Sequence, residues 1–177
     1  LDQIAGDKRR VYVVGESGLR NALISRHFTI TDMSPDYVVV GLDSKVTYDK
    51  LATAVLLIRA GATFIGTNSD SNLPNQRGMV PGAGSLVKLV EYATQKRPIM
   101  IGKPEKIIMA MALKKSGLNK EQVVMVGDNY NTDIKAAINF GIDSLLVYSG
   151  LSTKLEVSKE AIQPTHQVDS LDDWQVE

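Results

Sequence analysis

Cysteine is absent from the 177 residues, so no disulfide framework, thiolate metal site or thiol nucleophile can be built from them. That absence is compatible with a cytoplasmic setting, which is the expectation here. An excess of either charge is also missing, because 20 Lys+Arg balance 20 Asp+Glu. The chain therefore offers no electrostatic basis for holding nucleic acid or an acidic membrane. No apolar run approaches the roughly 20 residues needed to span a bilayer, and Leu1 opens a mixed polar stretch instead of a basic-then-apolar signal segment. Histidine is confined to His27 and His166, far apart and without metal-ligand spacing, so surface or packing roles are expected for both.

What is present is globular composition. Apolar residues make up 44% and charged residues 23%, enough to bury a core in one domain or in two small lobes. Short β-branched runs alternate with helical patterns bounded by Gly and Pro, the mark of βα units and a largely parallel sheet. The first half predicts strands over 11–14, 27–31, 37–42 and 63–66, with helices over 18–25 and 47–60. In the second of those helices Leu51, Ala54, Val55 and Ile58 fall on one face, and Gly61 stops it. Residues 68–81 read as a polar connecting loop.

Pro81-Gly82-Ala83-Gly84-Ser85 reads as a hinge leading into a helix to about Thr94, and Arg97-Pro98 resets the chain, which places a lobe boundary there. Beyond it the pattern predicts strands over 99–102, 122–126, 144–148 and 167–169, and helices over 105–115, 133–140 and 154–161. Met100, Met109, Met111 and Met125 fit a helix-and-sheet core, and Trp174 is expected to anchor the tail.

In an open parallel sheet ligands sit beyond the carboxyl ends of the strands, so polar residues that follow an apolar run come first. Lys103 follows Ile99-Met100-Ile101-Gly102 directly. Pro104 behind it disfavours a helical backbone at Lys103 and suits the first position of the next helix. The second place is Gly127-Asp128-Asn129-Tyr130-Asn131-Thr132-Asp133, after Val123 to Val126 and before a new helix. Gly127 permits close backbone approach, Asp128 is a hard oxygen ligand suited to magnesium, and Thr132 could cap a helix whose first turn holds Asp133.

A Lys-Pro after a strand is often only a turn, and an Asp-rich strand-to-helix loop is often only a cap. Together, in this order and each at a strand end, they put a cation and two carboxylates where phosphoryl chemistry can use them.

These residues resemble the third and fourth motifs of the haloacid dehalogenase superfamily, Gly102-Lys103-Pro104 and Gly127-Asp128-Asn129 through Thr132-Asp133. Further stretches are similar to its NagD-like, p-nitrophenylphosphatase-like branch. They are residues 13–19, Gly41-Leu42-Asp43 with Thr47-Tyr48, residues 64–70 from Phe64 to Asp70, and Pro81 to Ser85. The resemblance runs over nearly the whole chain. It implies an α/β fold in which a Rossmann-like parallel-sheet core carries an inserted α/β cap, with residues 1–80 as most of the cap and 81–177 as the second half of the core. It also implies a magnesium-dependent phosphatase acting on a small phosphorylated metabolite, such as p-nitrophenyl phosphate, a sugar phosphate or a nucleotide. Lys103 would hold the phosphate and the nucleophile, Asp128 would ligate magnesium, and Asp133 would orient the lysine or the metal shell. Asn129, Tyr130, Asn131 and Thr132 would line the substrate pocket, and Asn68 and Asp70 would bear on leaving-group choice from a cap loop.

The superfamily's reaction begins with an aspartate that forms an aspartyl-phosphate, and an acid two residues on protonates the leaving oxygen. No Asp-x-Asp occurs among these residues, and Asp43 is followed by Ser44-Lys45 where the second acid would stand. The expectation is that the nucleophile segment lies upstream of Leu1 and that the chain by itself turns over little or nothing. A core without its central strand would leave a sheet edge unpaired, which predicts marginal stability or self-association. The alternative is a non-catalytic phosphate- or nucleotide-binding or regulatory module. A coding sequence with Asp-x-Asp-Gly upstream would favour the enzyme, and a start codon just before Leu1 the binder. A dinucleotide loop at Gly15-Glu16-Ser17-Gly18 is disfavoured, because it lacks G-x-G-x-x-G spacing.

Overall fold

The structure, a computed structural model, describes residues 5–175. The chain divides into two compact units, Leu1–Ile101 and Gly102–Glu177.

The first unit is built on a parallel sheet of strands β1 (Arg10–Val14), β2 (Thr29–Ile30), β3 (Tyr37–Val40), β4 (Thr63–Gly66) and β7 (Ile99–Met100), in the order β2-β1-β3-β4-β7. Side chains alternate across a strand, and this alternation makes two cores. Val11, Val13, Tyr37, Val39 and Ile65 face one side, under Leu19 and Leu23 of helix α1 (Ser17–Ile24). Val14, Val38, Val40 and Phe64 face the other, under Ala54 and Ile58 of α2 (Tyr48–Arg59) and Val87 and Val90 of α3 (Ala83–Thr94). Ile58 and Ile65 are fully buried, each contributing about 1.5–3 kcal/mol by leaving water. The helix predicted over 47–60 forms with Thr47 as its N-cap, the threonine side chain accepting from the Lys50 amide at 3.2 Å.

The polar loop expected over 68–81 is instead largely a β-hairpin, β5 (Asn72–Asn75) against β6 (Gly78–Pro81), antiparallel with Asn75 opposite Gly78. Its turn is set by Asn75, whose Oδ1 accepts from the Arg77 amide at 2.8 Å, and by Gly78 at φ +111°. Pro74 is tolerated because this two-stranded ribbon consists of edges.

The division between units falls after Ile101, close to the boundary read at Arg97-Pro98 and not at 80/81. The reason is packing: β6 pairs with β5, α3 covers the first sheet, and β7 extends that sheet beside β4. The Pro81-to-Ser85 stretch is accordingly a tightly packed helix start and not a hinge. Gly82 and Gly84 lie against the backbone of residues 69–72, where β-carbons would overlap it.

The second unit holds a three-stranded parallel sheet, β10 (His166–Val168), β9 (Asp143–Val147) and β8 (Val124–Gly127), in that order. Its core joins Tyr130, Ile134, Leu146 and Val157, with Ile138 and Tyr148 packed against them. Helix α4 (Lys106–Ser116) buries no residue, and Met111 is 44% exposed, so Met111 is not the core residue expected of it. Helices α5 (Lys135–Phe140) and α6 (Lys154–Val157) complete the unit, α6 stopping short of the expected residue 161. Trp174 packs against His166 with ring centroids 4.8 Å apart and the rings tilted by 59°, which gives the tail its anchor and His166 a packing role. His27 closes α1 in the left-handed region at φ 62°. Among the described residues no helix is long and apolar enough to cross a membrane.

Candidate active site

Lys103 stands in a turn closed by the Glu105 N–H donating to the Gly102 carbonyl at 3.0 Å, and the Lys103-Pro104 peptide is cis. The following helix starts at Lys106, so Pro104 belongs to the turn and not to the first helical position. The ammonium of Lys103 donates to Oδ1 of Asp133 in an ion pair. Asp133 is 4% exposed. Its second oxygen, Oδ2, accepts from the Asn129 amide at 3.2 Å.

Asp133 reaches this position on a π-helical turn, Tyr130–Ile134, that runs into α5. The Asn129 carbonyl accepts from the amides of Thr132, Asp133 and Ile134 at 3.3, 2.8 and 3.4 Å. The turn begins earlier than expected, so its cap is Asn129 and not Thr132. Asn129 Oδ1 accepts from the Asn131 amide at 3.0 Å, while Thr132 is half-buried as the third residue of the turn. Widened turns of this kind recur at functional sites, because they move one side chain off the regular helical face.

Asp128 follows Gly127, the last residue of β8. Its Oδ2 accepts from the Leu151 amide at 3.1 Å, and its backbone carbonyl from the Ser152 amide at 3.0 Å. The Tyr130 amide donates to Ser152 Oγ at 2.8 Å. Three hydrogen bonds thus tie the loop after β8 to Gly150-Leu151-Ser152, shortly beyond the end of the neighbouring strand β9. That segment was not singled out in the sequence. The available signal was Ser149-Gly150, closing an apolar run just as Gly127-Asp128 does.

Asn129, Tyr130 and Asn131 line a cavity of about 490 Å³ together with Ser152, Glu156 and Glu160. Tyr130 is nevertheless mostly a core residue, its hydroxyl donating to the Ile162 carbonyl at 2.6 Å. Burial, with the Glu160 charge adding to it, pushes its phenol above the usual value. Asn131 accepts from the Lys135 ammonium at 2.6 Å.

Asn68 and Asp70 belong to the first unit. The Asp70 amide donates to Asn68 Oδ1 at 3.3 Å, and the Asp70 carbonyl accepts from the Gly84 amide at 2.9 Å. The stretch 69–71 is therefore pinned by the start of α3.

A phosphate-sized anion is attracted by the ammonium at 103, and a hard divalent cation by the carboxylate at 128. A profile of the HAD-hydrolase-like family matches residues 100–174. A double mutant of the thermostable NPPase from Geobacillus stearothermophilus superposes with a TM-score of 0.91 at 47% identity, over 96% of this chain and 67% of that one.

The chain belongs to the haloacid dehalogenase-like hydrolases.

Among other members of this family, 5'-nucleotidase YutF of Bacillus subtilis (strain 168) is 45% identical over 164 residues, 93% of this chain and 64% of that protein. The acid sugar phosphatase of Staphylococcus saprophyticus subsp. saprophyticus is 46% identical over 164 residues, 92% of this chain and 63% of that protein. The chain thus spans slightly less than two thirds of the length of these curated relatives, with 64% and 63% of them covered.

For a haloacid dehalogenase-like hydrolase, Lys103 and Asp128 are the residues to weigh against a bound anion and a cation. No cluster of three or more metal-competent side chains exists among the described residues. What the chain offers a cation is a carboxylate whose Oδ2 is held by a backbone amide, which leaves Oδ1 for coordination. A half-buried aspartate oriented in this way fits one ligand of a magnesium ion, which takes only one or two protein carboxylates and keeps several waters.

Proposed function

We propose that this chain forms part of a magnesium-dependent phosphatase acting on small phosphomonoesters. The observation that carries the reading is the Lys103–Asp133 ion pair beside the Asp128 loop. Lys103 neutralises charge on the phosphoryl oxygens as they move to the transition state. Asp133 fixes the ammonium through one oxygen and the Asn129 amide through the other, so the lysine is positioned before substrate arrives. Asp128 holds magnesium, which when bound supplies further charge neutralisation at the phosphate. The cavity lined by Asn129 and Asn131 receives polar groups of the substrate.

The covalent step needs a carboxylate nucleophile with an acid two residues on. No Asp-x-Asp occurs in residues 1–177, so the part these residues take is to bind and polarise the phosphate through Lys103 and Asp128. The relatives named as a 5'-nucleotidase and an acid sugar phosphatase support phosphomonoesters as the class.

The test is hydrolysis of p-nitrophenyl phosphate by the full-length natural protein with and without magnesium, alongside Lys103→Met and Asp128→Ala. Magnesium-dependent release of p-nitrophenol that both variants abolish is the expected result. Hydrolysis unaffected by Asp128→Ala would remove the metal assignment, and no hydrolysis in any condition would remove the phosphatase reading.

A further inference from the structure

Two carboxylates of the site each lie on a glycine, and one of those glycines has no part in the functional reading above. A β-carbon added at Gly127 would overlap the Asp133 side chain, and one added at Gly150 would overlap the Asp128 carboxylate. Gly150 does not have the positive φ that would by itself demand glycine; the obstruction is the aspartate alone. The residue after it completes the arrangement, since the Leu151 amide donates to Asp128 Oδ2 at 3.1 Å. Ser152 locks the same segment, its amide on the Asp128 carbonyl at 3.0 Å and its Oγ accepting from Tyr130.

We propose that Gly150 and the Leu151 amide are positioning residues for the cation site: the missing side chain at 150 lets the Asp128 carboxylate lie flat on the backbone, and the amide at 151 claims Oδ2 and orients Oδ1 toward the cation. The proposal rests on the reading of Asp128 as a metal ligand and adds to it the device that aims the ligand. Groups that orient a metal ligand from behind are worth about 10- to 100-fold in metal affinity. An alanine at 150 would overlap the Asp128 Cβ as well as its carboxylate, so it pushes the aspartate off the Leu151 amide and shifts the backbone that carries it. The Ser152–Asp128 backbone bond and the Tyr130–Ser152 bond do not involve the displaced carboxylate and continue to tie the two loops.

The experiment titrates Mn2+, followed by the loss of its free-ion EPR signal, into the full-length natural protein and into its Gly150→Ala and Asp128→Ala variants. Far-UV circular dichroism establishes that each is folded. Expected are saturable binding by the natural sequence, loss in Asp128→Ala, and a 10- to 100-fold weakening in Gly150→Ala with an unchanged spectrum. Unchanged affinity in Gly150→Ala beside lost affinity in Asp128→Ala overturns the positioning role and leaves the metal assignment standing. Unchanged affinity in Asp128→Ala, or no Mn2+ binding by the natural sequence, overturns the metal assignment and the positioning role with it.

The second readout is the Leu151 amide resonance in a 1H–15N spectrum, which keeps the question decidable if Gly150→Ala fails to fold. A proton held by a carboxylate resonates downfield, so Asp128→Ala should move it upfield, and Gly150→Ala, where folded, should move it likewise. A Leu151 resonance indifferent to Asp128→Ala overturns the proposal.

Discussion

Lys103 and Asp133, 30 residues apart in sequence, form an ion pair in which the acid is nearly buried and the base is not, with side-chain exposures of 6% and 42%. Asp133 therefore depends on its two donors more than Lys103 depends on its acceptor.

Removing the acid leaves the Asn129 amide without its side-chain acceptor. Asp133→Ala should lower stability by about 1–3 kcal/mol, the cost of leaving a buried polar group unmet. Urea unfolding of the two single variants and of the Lys103→Met/Asp133→Ala double variant measures the coupling. A non-additivity of about 0.5–3 kcal/mol is expected for residues in contact, and strict additivity would show that the pair contributes nothing.

In the first unit Asp43 and Lys50 form a corresponding pair at 2.5 Å, again with a buried acid and a partly exposed base. Burial is the largest influence on Asp43 and pushes its carboxyl up. The Lys50 ammonium and the Lys45 and Gly15 amides together outweigh it, so the carboxyl lies below its ordinary value. A depressed folded-state value means that the stabilisation is fully present above the unfolded value, about pH 4, and is lost as the pH falls through the folded one. Lys50→Met should move the acid-unfolding midpoint to higher pH, and Asp43→Asn should remove this component. Circular dichroism followed from pH 6 to pH 2 checks both.

At Gly84 two effects oppose each other. Alanine is the better helix former by up to about 1 kcal/mol, but its β-carbon would overlap the Ser69 carbonyl and crowd that of Asp70. Overpacking against backbone costs about 1–3 kcal/mol, so Gly84→Ala should destabilise the chain. A rise in thermal midpoint in that variant would show that the 69–71 stretch yields easily.

Within the second unit β8 is hydrogen-bonded to β9 on one side only among the described residues, and Val124 and Val126 are 41% and 43% exposed. An apolar edge of this kind invites pairing between copies. Sedimentation velocity should show concentration-dependent association of the chain, reduced by Val126→Lys.

Regular elements were legible in the sequence because their signal is local. Val11, Val13, Val38 and Val40 alternate in the chain as they do across the sheet, and Leu51, Ala54, Val55 and Ile58 keep helical spacing in both. The misses concern what local pattern does not encode. The hairpin at 72–81 carries Pro74 and buries neither strand fully, so its period-2 signal reduces to Leu73 and Val80. The unit boundary was set by strand pairing of Ile99 and Met100 with Ile65 and Gly66, a contact across more than 30 residues. Lys103 and Asp128 stand out in the sequence through their places after apolar runs and Asp133 through its place at the end of the same loop, and the structure pairs Lys103 with Asp133. Gly150 and Leu151 escaped because a glycine's fit to a distant carboxylate leaves no periodic trace. Thr132 fits as a cap only for a regular helix whose first turn holds Asp133, and the wide turn moves the cap to Asn129.

That wide turn makes the spacing between Asn129 and Asp133 intolerant of indels. Deleting one residue between them would let the segment relax to an ordinary helix and rotate the following acid by about 100° about the axis. The lysine would then face an amide or a methyl group instead of a carboxylate. Chain length at this loop is therefore constrained as tightly as residue identity, and a variant one residue shorter should behave like one that has lost the acid altogether.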